Sequence, residues 1–119
     1  MANQKYNSAV RAATFVGDDN TKIQGLRGIK VFLDVTAVPG VDTVQLVIEA
    51  KDALSGKYVT LLSAAARVAT GTDMLTVYPG VAVTANVSAS DVVPDIYRVR
   101  VVHSAGTNFT YSVSTVEIA

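Results

Sequence analysis

Apolar and polar residues alternate over residues 29–38, which predicts a β-strand with one buried side. Every second residue of this stretch, from Ile29 to Val35, is apolar, and successive side chains of a strand point to opposite faces. A Pro-Gly turn follows at positions 39 and 40, where proline presets φ and glycine accepts a positive φ. The apolar row resumes over residues 44–50. The two stretches therefore predict an antiparallel hairpin or a sandwich corner.

The C-terminal part of the chain has the clearest alternation. Residues 96–103 place Tyr97 and two valines on one face, and residues 109–113 are again apolar at every second position. The segment between them, 104–108, has the small and polar residues of a turn. This arrangement predicts a β-hairpin.

The last residues break the expected pattern of burial. If the alternation continued, Glu117 would be buried while Val116 and Ile118 would be exposed. We therefore expect a β-bulge near residue 114 or 115 that exchanges the two faces, or a partner that covers the apolar residues.

Weaker patterns predict several more short strands. They cover residues 10–16, 58–62, 63–69, 74–78 and, most weakly, 81–87. The alanine run at 64–66 favours a helix but is far shorter than the roughly 12 residues that a marginal helix needs, so a kinked strand is expected there. Residues 1–9 are polar and show no period, which predicts a flexible N-terminal arm.

These elements predict an all-β fold. We expect a single antiparallel β-sandwich over residues 10–119, Ig-like or jelly-roll-like, with about seven to nine short strands, preceded by the arm at 1–9. A closed barrel is the alternative. The length of 119 residues matches one ordinary domain, and the absence of cysteine excludes disulfides and thiolate chemistry.

The charge pattern narrows the class of partner. Ten basic and ten acidic residues are interspersed along the chain, so no cationic face for nucleic acid is expected. Charged residues make up 17% of the chain, below the roughly 25% of typical domains, which indicates that another chain covers some apolar surface. No apolar stretch reaches the ~18 residues of a membrane span, and the N-terminus lacks the pattern of a secretory signal.

Candidate chemistry is sparse, and we predict no catalytic, cofactor-binding or metal-binding residue and no enzyme activity. His103 adjoins Ser104, but neighbours in a strand point to opposite faces, so we interpret the histidine as structural. The loop at 18–20 holds three oxygen ligands, fewer than calcium requires, and reads as a turn. Asp34, Glu49 and Asp52 are interpreted as cross-strand ion pairs with Lys30 and Lys51.

Apolar residues on faces that the alternation assigns to solvent are the candidates for a protein interface. They are Phe32, Val38, Val47, Val102, Val116 and Ile118. Lys5 and Tyr6 join them, because a disordered arm can become ordered on a neighbouring molecule.

Several segments together resemble small virion proteins of tailed bacteriophages, in particular capsid decoration and minor head proteins. The segments are GIKVFLDVTAV at 28–38, VIEAKD at 47–52 with SGKY at 55–58, YRVRVVHS at 97–104 and FTYSV at 109–113. The resemblance covers residues 28–118 and implies a homo-oligomer, with a trimer as one form, that binds the major capsid protein outside the shell and braces it. It also implies location on the virion after assembly in the host cytoplasm. From the residues themselves we expect no cofactor, nucleic acid or membrane as partner.

Two other classes remain open. An immunoglobulin-like or fibronectin-like adhesion module would bind through the loops at 52–57, 79–94 and 104–108. A tail or connector protein would need ring-forming interfaces and usually an inserted long hairpin, which the sequence lacks.

Overall fold

The computed structural model describes residues 3–21 and 25–119, which form ten strands in two stacked sheets. Sheet A has the order β1 (Lys5–Arg11), β10 (Phe109–Ile118), β4 (Gly28–Ala37), β7 (Gly71–Val77) and β8 (Ser88–Ala89). Sheet B has the order β2 (Phe15–Val16), β9 (Ile96–His103), β5 (Val44–Lys51) and β6 (Tyr58–Ser63), with β3 (Asn20–Thr21) also paired to β9. All the pairings are antiparallel except that of β7 with β8. The predicted all-β sandwich is confirmed.

The core lies between the sheets and is built from one side-chain row of each long strand. Strand β4 contributes four fully buried residues, Ile29, Val31, Leu33 and Val35. The opposite sheet contributes Val44, Leu46 and Ile48 from β5 and Tyr97, Val99 and Val101 from β9. Burying each such side chain stabilises the fold by about 2 kcal/mol relative to leaving it in water. The inward rows predicted from the alternation are therefore the rows that fill the core.

The predicted C-terminal hairpin is wrong, because β9 and β10 lie in different sheets. Strand β9 pairs with β5, while β10 pairs with β4 and β1. The segment at 104–108 thus passes from one sheet to the other, as does the segment at 38–43 between β4 and β5. Alternation gives the same signal for a hairpin and for two strands that face each other across a core. Of the two alternatives for residues 29–50, the sandwich corner is the one observed.

The two crossing segments hold each other in place. The backbone N–H of Thr43 donates to the Ser104 hydroxyl at 2.7 Å, and the N–H of Ser104 donates to the Thr43 carbonyl at 3.0 Å. The Thr107 hydroxyl also donates to the Asp42 carboxylate at 2.7 Å. Both crossings therefore lie side by side at one end of the sandwich.

The N-terminal segment is a strand, so the predicted arm at 1–9 is wrong for the part that the structure describes. Strand β1 pairs with β10, with a register shift between Tyr6 and Ala9. The Arg11 guanidinium donates to the Asn7 carbonyl at 3.0 Å and also to the Tyr111 carbonyl. A bulge interrupts the two-residue period, which explains why the sequence shows no strand here. Residues 1 and 2 lie outside the described residues.

Three other predicted elements also change. The strand predicted at 10–16 is divided, because β1 ends in sheet A and β2 begins in sheet B. The strand predicted at 63–69 is replaced by an irregular segment that has a single bridge from Arg67 to Val44. In the segment between β7 and β9, the short strand is β8 rather than residues 81–87.

The bulge expected near residue 114 or 115 is absent. Strand β10 keeps a continuous register with β4 from Tyr111 to Ile118, and its register shift lies earlier, between Thr110 and Tyr111. Glu117 therefore points inward, as uninterrupted alternation requires. The Tyr97 hydroxyl donates to its carboxylate at 2.7 Å and accepts from the Asn20 amide at 2.6 Å. Burial, together with Glu117, raises the pKa of Tyr97 far above its ordinary value, so the phenol stays protonated and keeps donating.

We expect Gly28→Ala to destabilise the protein by about 2 kcal/mol, because an added methyl group overpacks the junction of β4 and β7. A Cβ at this position would collide with the Val77 carbonyl oxygen and lie 2.5 Å from the Tyr78 ring. Urea unfolding measures the change. Gly106→Ala is the matched control, because the nearest atom to its Cβ would be 3.8 Å away. Equal stability of the two variants would contradict the packing described here.

We expect Tyr97→Phe to lower the free energy of unfolding by about 2 kcal/mol, since it removes the hydroxyl that links a buried amide to a carboxylate. Tyr78→Phe is the control, because the Tyr78 hydroxyl makes no hydrogen bond among the described residues. Thermal and urea unfolding of the two variants should differ. Similar losses would show that the Tyr97 hydroxyl contributes nothing specific.

Candidate interaction faces

The outer surface of sheet A is a regular grid of side chains, which we call face A. It consists of Lys30, Phe32 and Asp34 of β4, Thr72, Met74 and Thr76 of β7, and Ser112, Ser114 and Val116 of β10. Phe32 occupies the centre, directly between Met74 and Ser114. Met74 is 42% exposed and Val116 is 41% exposed. Large apolar side chains thus remain accessible in the middle of this sheet.

Two opposite charges flank Phe32 along β4. Lys30 precedes it by two residues and Asp34 follows it by two, so both side chains lie on face A. The Lys30 ammonium donates to the Thr76 hydroxyl at 3.2 Å, and the Asp34 carboxylate accepts from the Thr72 hydroxyl at 3.0 Å. Within residues 3–21 and 25–119, neither charge has an ionic partner. The ion pairs predicted for Lys30 and Asp34 are therefore wrong.

The outer surface of sheet B, which we call face B, is organised around a covered carboxylate. Glu49 of β5 is only 5% exposed although it points away from the core. Arg98 donates to one of its oxygens at 2.7 Å and Arg100 to the other at 2.9 Å. Burial raises the pKa of Glu49, but the two arginines outweigh burial and leave that pKa below the ordinary value. Glu49 was predicted to pair with a lysine, but it pairs with two arginines of the neighbouring strand.

An aromatic ring and a second ion pair extend face B. The Arg98 guanidinium lies 3.4 Å from the centre of the Tyr58 ring, a stacked arrangement that favours the cation. The Tyr58 hydroxyl donates to Asp19 at 2.6 Å, and Lys51 donates to the same carboxylate at 2.8 Å. These bonds, from Lys51 first and then Tyr58, lower the pKa of Asp19.

Two residues of the loop at 18–20, which was considered for calcium, make contacts within the protein. Asp19 is bound to face B, and Asn20 is fully buried beside Tyr97. The carboxylate of Asp52 accepts from the Ser55 hydroxyl at 2.8 Å and caps its own turn. In the part of the chain that the structure describes, no three histidine or acidic side chains gather into a metal-binding group.

The eight interface candidates do not form one surface. Phe32, Val116, Ile118 and Lys5 share the outer side of sheet A, and Val47 and Val102 share the outer side of sheet B. Val38 follows the end of β4 and packs partly against the core. Tyr6 also packs there, with its ring centre 4.9 Å from that of Phe15 and its hydroxyl accepting from the Asp18 N–H at 3.0 Å.

Some contacts of the two faces could not be identified from the sequence. Met74 adjoins Phe32 only because β7 pairs with β4, and Glu49 meets Arg98 only because β5 pairs with β9. The alternation did place Arg98 and Arg100 outward. A cross-strand partner for them was not visible without the pairing.

His103 joins the two sheets. Its Nε2 lies 2.8 Å from the Tyr111 hydroxyl, and its ring packs edge-on against Phe109 with centres 5.3 Å apart. Burial, assisted by the positive charge of Arg11, lowers the pKa of His103. The imidazole thus stays neutral to lower pH than an exposed one and serves as a packed contact between β9 and β10.

Comparisons with known proteins assign no family to this chain. No protein-family model matches it, and no curated protein matches it. Over residues 3–21 and 25–119, no helix combines the length and apolar character needed to cross a membrane. The functional proposal therefore depends on the two faces and on the resemblance seen in the sequence.

We expect Glu49→Gln to lower the free energy of unfolding by about 2 kcal/mol at neutral pH, because both arginines lose their charged partner. The lowered pKa stabilises the folded state above the ordinary pKa of glutamate, and this contribution is lost as the pH falls through the folded value. The gap between wild type and variant should therefore close in acid. Urea unfolding between neutral and acidic pH measures it.

Asp91→Asn is the control for this change, since Asp91 is exposed and, among the described residues, accepts a hydrogen bond from the neighbouring Val92 N–H alone. It should alter stability by no more than about 0.5 kcal/mol. A gap for Glu49→Gln that persists unchanged in acid would contradict the role assigned to its charge.

Proposed function

We propose that this chain is a structural virion protein that binds the outer surface of a phage capsid and stabilises the shell. The observation that carries the proposal is that both outer sides of the sandwich have side chains of the kinds found at protein interfaces. Face A has an apolar centre, and face B has two arginines, of which Arg98 is stacked on Tyr58. A molecule with two such faces is suited to contact a shell subunit on one side and another molecule on the other. The resemblance to capsid decoration and minor head proteins indicates that the assembly is a phage capsid.

Face B is the surface that we assign to the major capsid protein. Arginine and tyrosine are enriched at the centres of protein interfaces, where they combine large contact area with hydrogen bonding. Arg98 and Arg100 each use one donor on Glu49, and a guanidinium has five N–H donors. Donors therefore remain for carbonyl or carboxylate groups of a partner. Prior pairing with Glu49 and Tyr58 fixes the arginines and reduces the entropy lost on binding.

Binding of this kind stabilises a shell by mass action. A protein that binds the assembled shell, and not its separated subunits, shifts the equilibrium towards the shell by an amount that grows with its concentration relative to its Kd. The sandwich needs no chemical step for this role.

The strand order argues against one adhesion surface made from the three loops considered earlier. The segment at 104–108 follows the end of β9, where His103 pairs with Val44. The segment at 52–57 lies at the other end of β5, beside Lys51 and Tyr58. The segment at 79–94 follows Val77, which pairs with Ile29 at the same far end. Loops at opposite ends cannot contact one ligand together.

We expect the purified protein to co-sediment with mature capsids of the phage that encodes it and to raise their disruption temperature. Thr60→Lys should weaken binding by at least about tenfold, because it adds bulk to face B at an exposed position opposite Glu49. Thr36→Lys places the same change at an exposed position of strand β4 in sheet A and should leave binding intact. Wild-type protein that neither co-sediments nor changes the disruption temperature would refute the proposal.

A further inference from the structure

We infer that face A is a self-association surface, on which two copies of this chain pack face to face about a two-fold axis. The axis passes over Phe32 and runs across strand β4, parallel to the sheet. This goes beyond binding to a shell, since it concerns the isolated protein.

The two-fold operation makes the charges of β4 complementary. Rotation about this axis reverses the direction of β4, so Lys30 of one copy faces Asp34 of the other, and the reverse pair forms on the other side of the axis. Each residue is two positions from Phe32, or about 6.7 Å along the strand. One strand therefore supplies two equivalent ion pairs with a second copy, as an isologous contact requires.

The charged groups of Lys30 and Asp34 lie on face A and have no ionic partner within the described residues. Each is instead positioned by a threonine of β7, Lys30 by Thr76 and Asp34 by Thr72. The same rotation places these two threonines opposite each other. Along β4 and β7, this contact places no two side chains of like charge opposite each other.

The centre of the grid fits this arrangement. Phe32 and Met74 are paired across the sheet, so the axis passes over both of them. Each therefore faces the same residue of the second copy. Sheets that stack face to face lie about 10 Å apart, and side chains of this size fill such a gap. Val116 pairs with Lys30 across the sheet and Ser112 pairs with Asp34, so Val116 faces Ser112 of the second copy. The result is an apolar centre with charges outside it, the usual anatomy of an interface.

The charges also select between two possible axes. An axis along β4 would oppose Lys30 to Lys30 and Asp34 to Asp34, which is unfavourable. The axis across β4 leaves one like-charged contact, because Lys5 pairs with Ser114 in the central row and meets its own counterpart. Lys5 is exposed on the edge strand, so this repulsion lies at the rim. Removing its charge should tighten the dimer.

Sedimentation velocity of charge-exchanged variants tests the inference without any capsid. Wild type should be a dimer at high micromolar concentration. Lys30→Asp and Asp34→Lys should each weaken the dimer by at least about tenfold, and the double exchange should restore it to within about threefold of wild type, because it rebuilds both pairs in reverse. Lys5→Ala should strengthen it.

Lys57→Asp and Asp91→Lys are the matched controls, since they make the same charge changes at exposed loop positions and should leave the dimer unchanged. Circular dichroism and urea unfolding confirm that every variant is folded. A monomeric wild type, or a double variant as weak as the product of the single effects, would overturn the inference. Because capsid binding is measured separately, either proposal can fail alone.

Discussion

Burial of one side-chain row from each long strand between the two sheets determines which side chains of those strands point outward. Ile29, Leu33, Leu46 and Val99 are fully buried in that layer. Because side chains alternate, each residue next to them in sequence must point outward. The composition of the outer faces is therefore set by the same alternation as the core, and a one-residue slip of any strand would disrupt both.

The few polar groups inside the sandwich depend on the same packing. Glu117 lies in an inward position of β10, and Tyr97 of β9 supplies the hydroxyl that it requires. His103 and Tyr111 form a comparable link between the sheets at the other end. In both cases a side chain of sheet B forms a hydrogen bond with a side chain of sheet A. These polar links require the two sheets to pack in one particular alignment.

The two outer faces are suited to different partners. Face B satisfies most of its own charge, since Glu49 and Asp19 are each bound by a cation of a neighbouring strand. Among the residues that the structure describes, Lys30 and Asp34 of face A have no ionic partner, and they lie on either side of an apolar centre. Face B, whose arginines already have partners, favours a partner that supplies additional hydrogen-bond acceptors. Face A, whose two charges have no ionic partner within the described residues and are complementary under a two-fold rotation, favours a second copy. Together they make the sandwich a candidate bridge between copies and a shell.

The amino-acid sequence alone determined the strand class, the inward rows and most strand positions, because period-two alternation is a local property that Ile29 to Val35 and Tyr97 to Val101 carry by themselves. It also identified Phe32 and Val116 as outward apolar residues. Tertiary structure decided which strands are neighbours: that β9 and β10 belong to different sheets, that residues 5–11 add a strand, and that Met74 adjoins Phe32. Pairing between strands distant in sequence depends on how whole rows fit together across the core, and no local pattern specifies that.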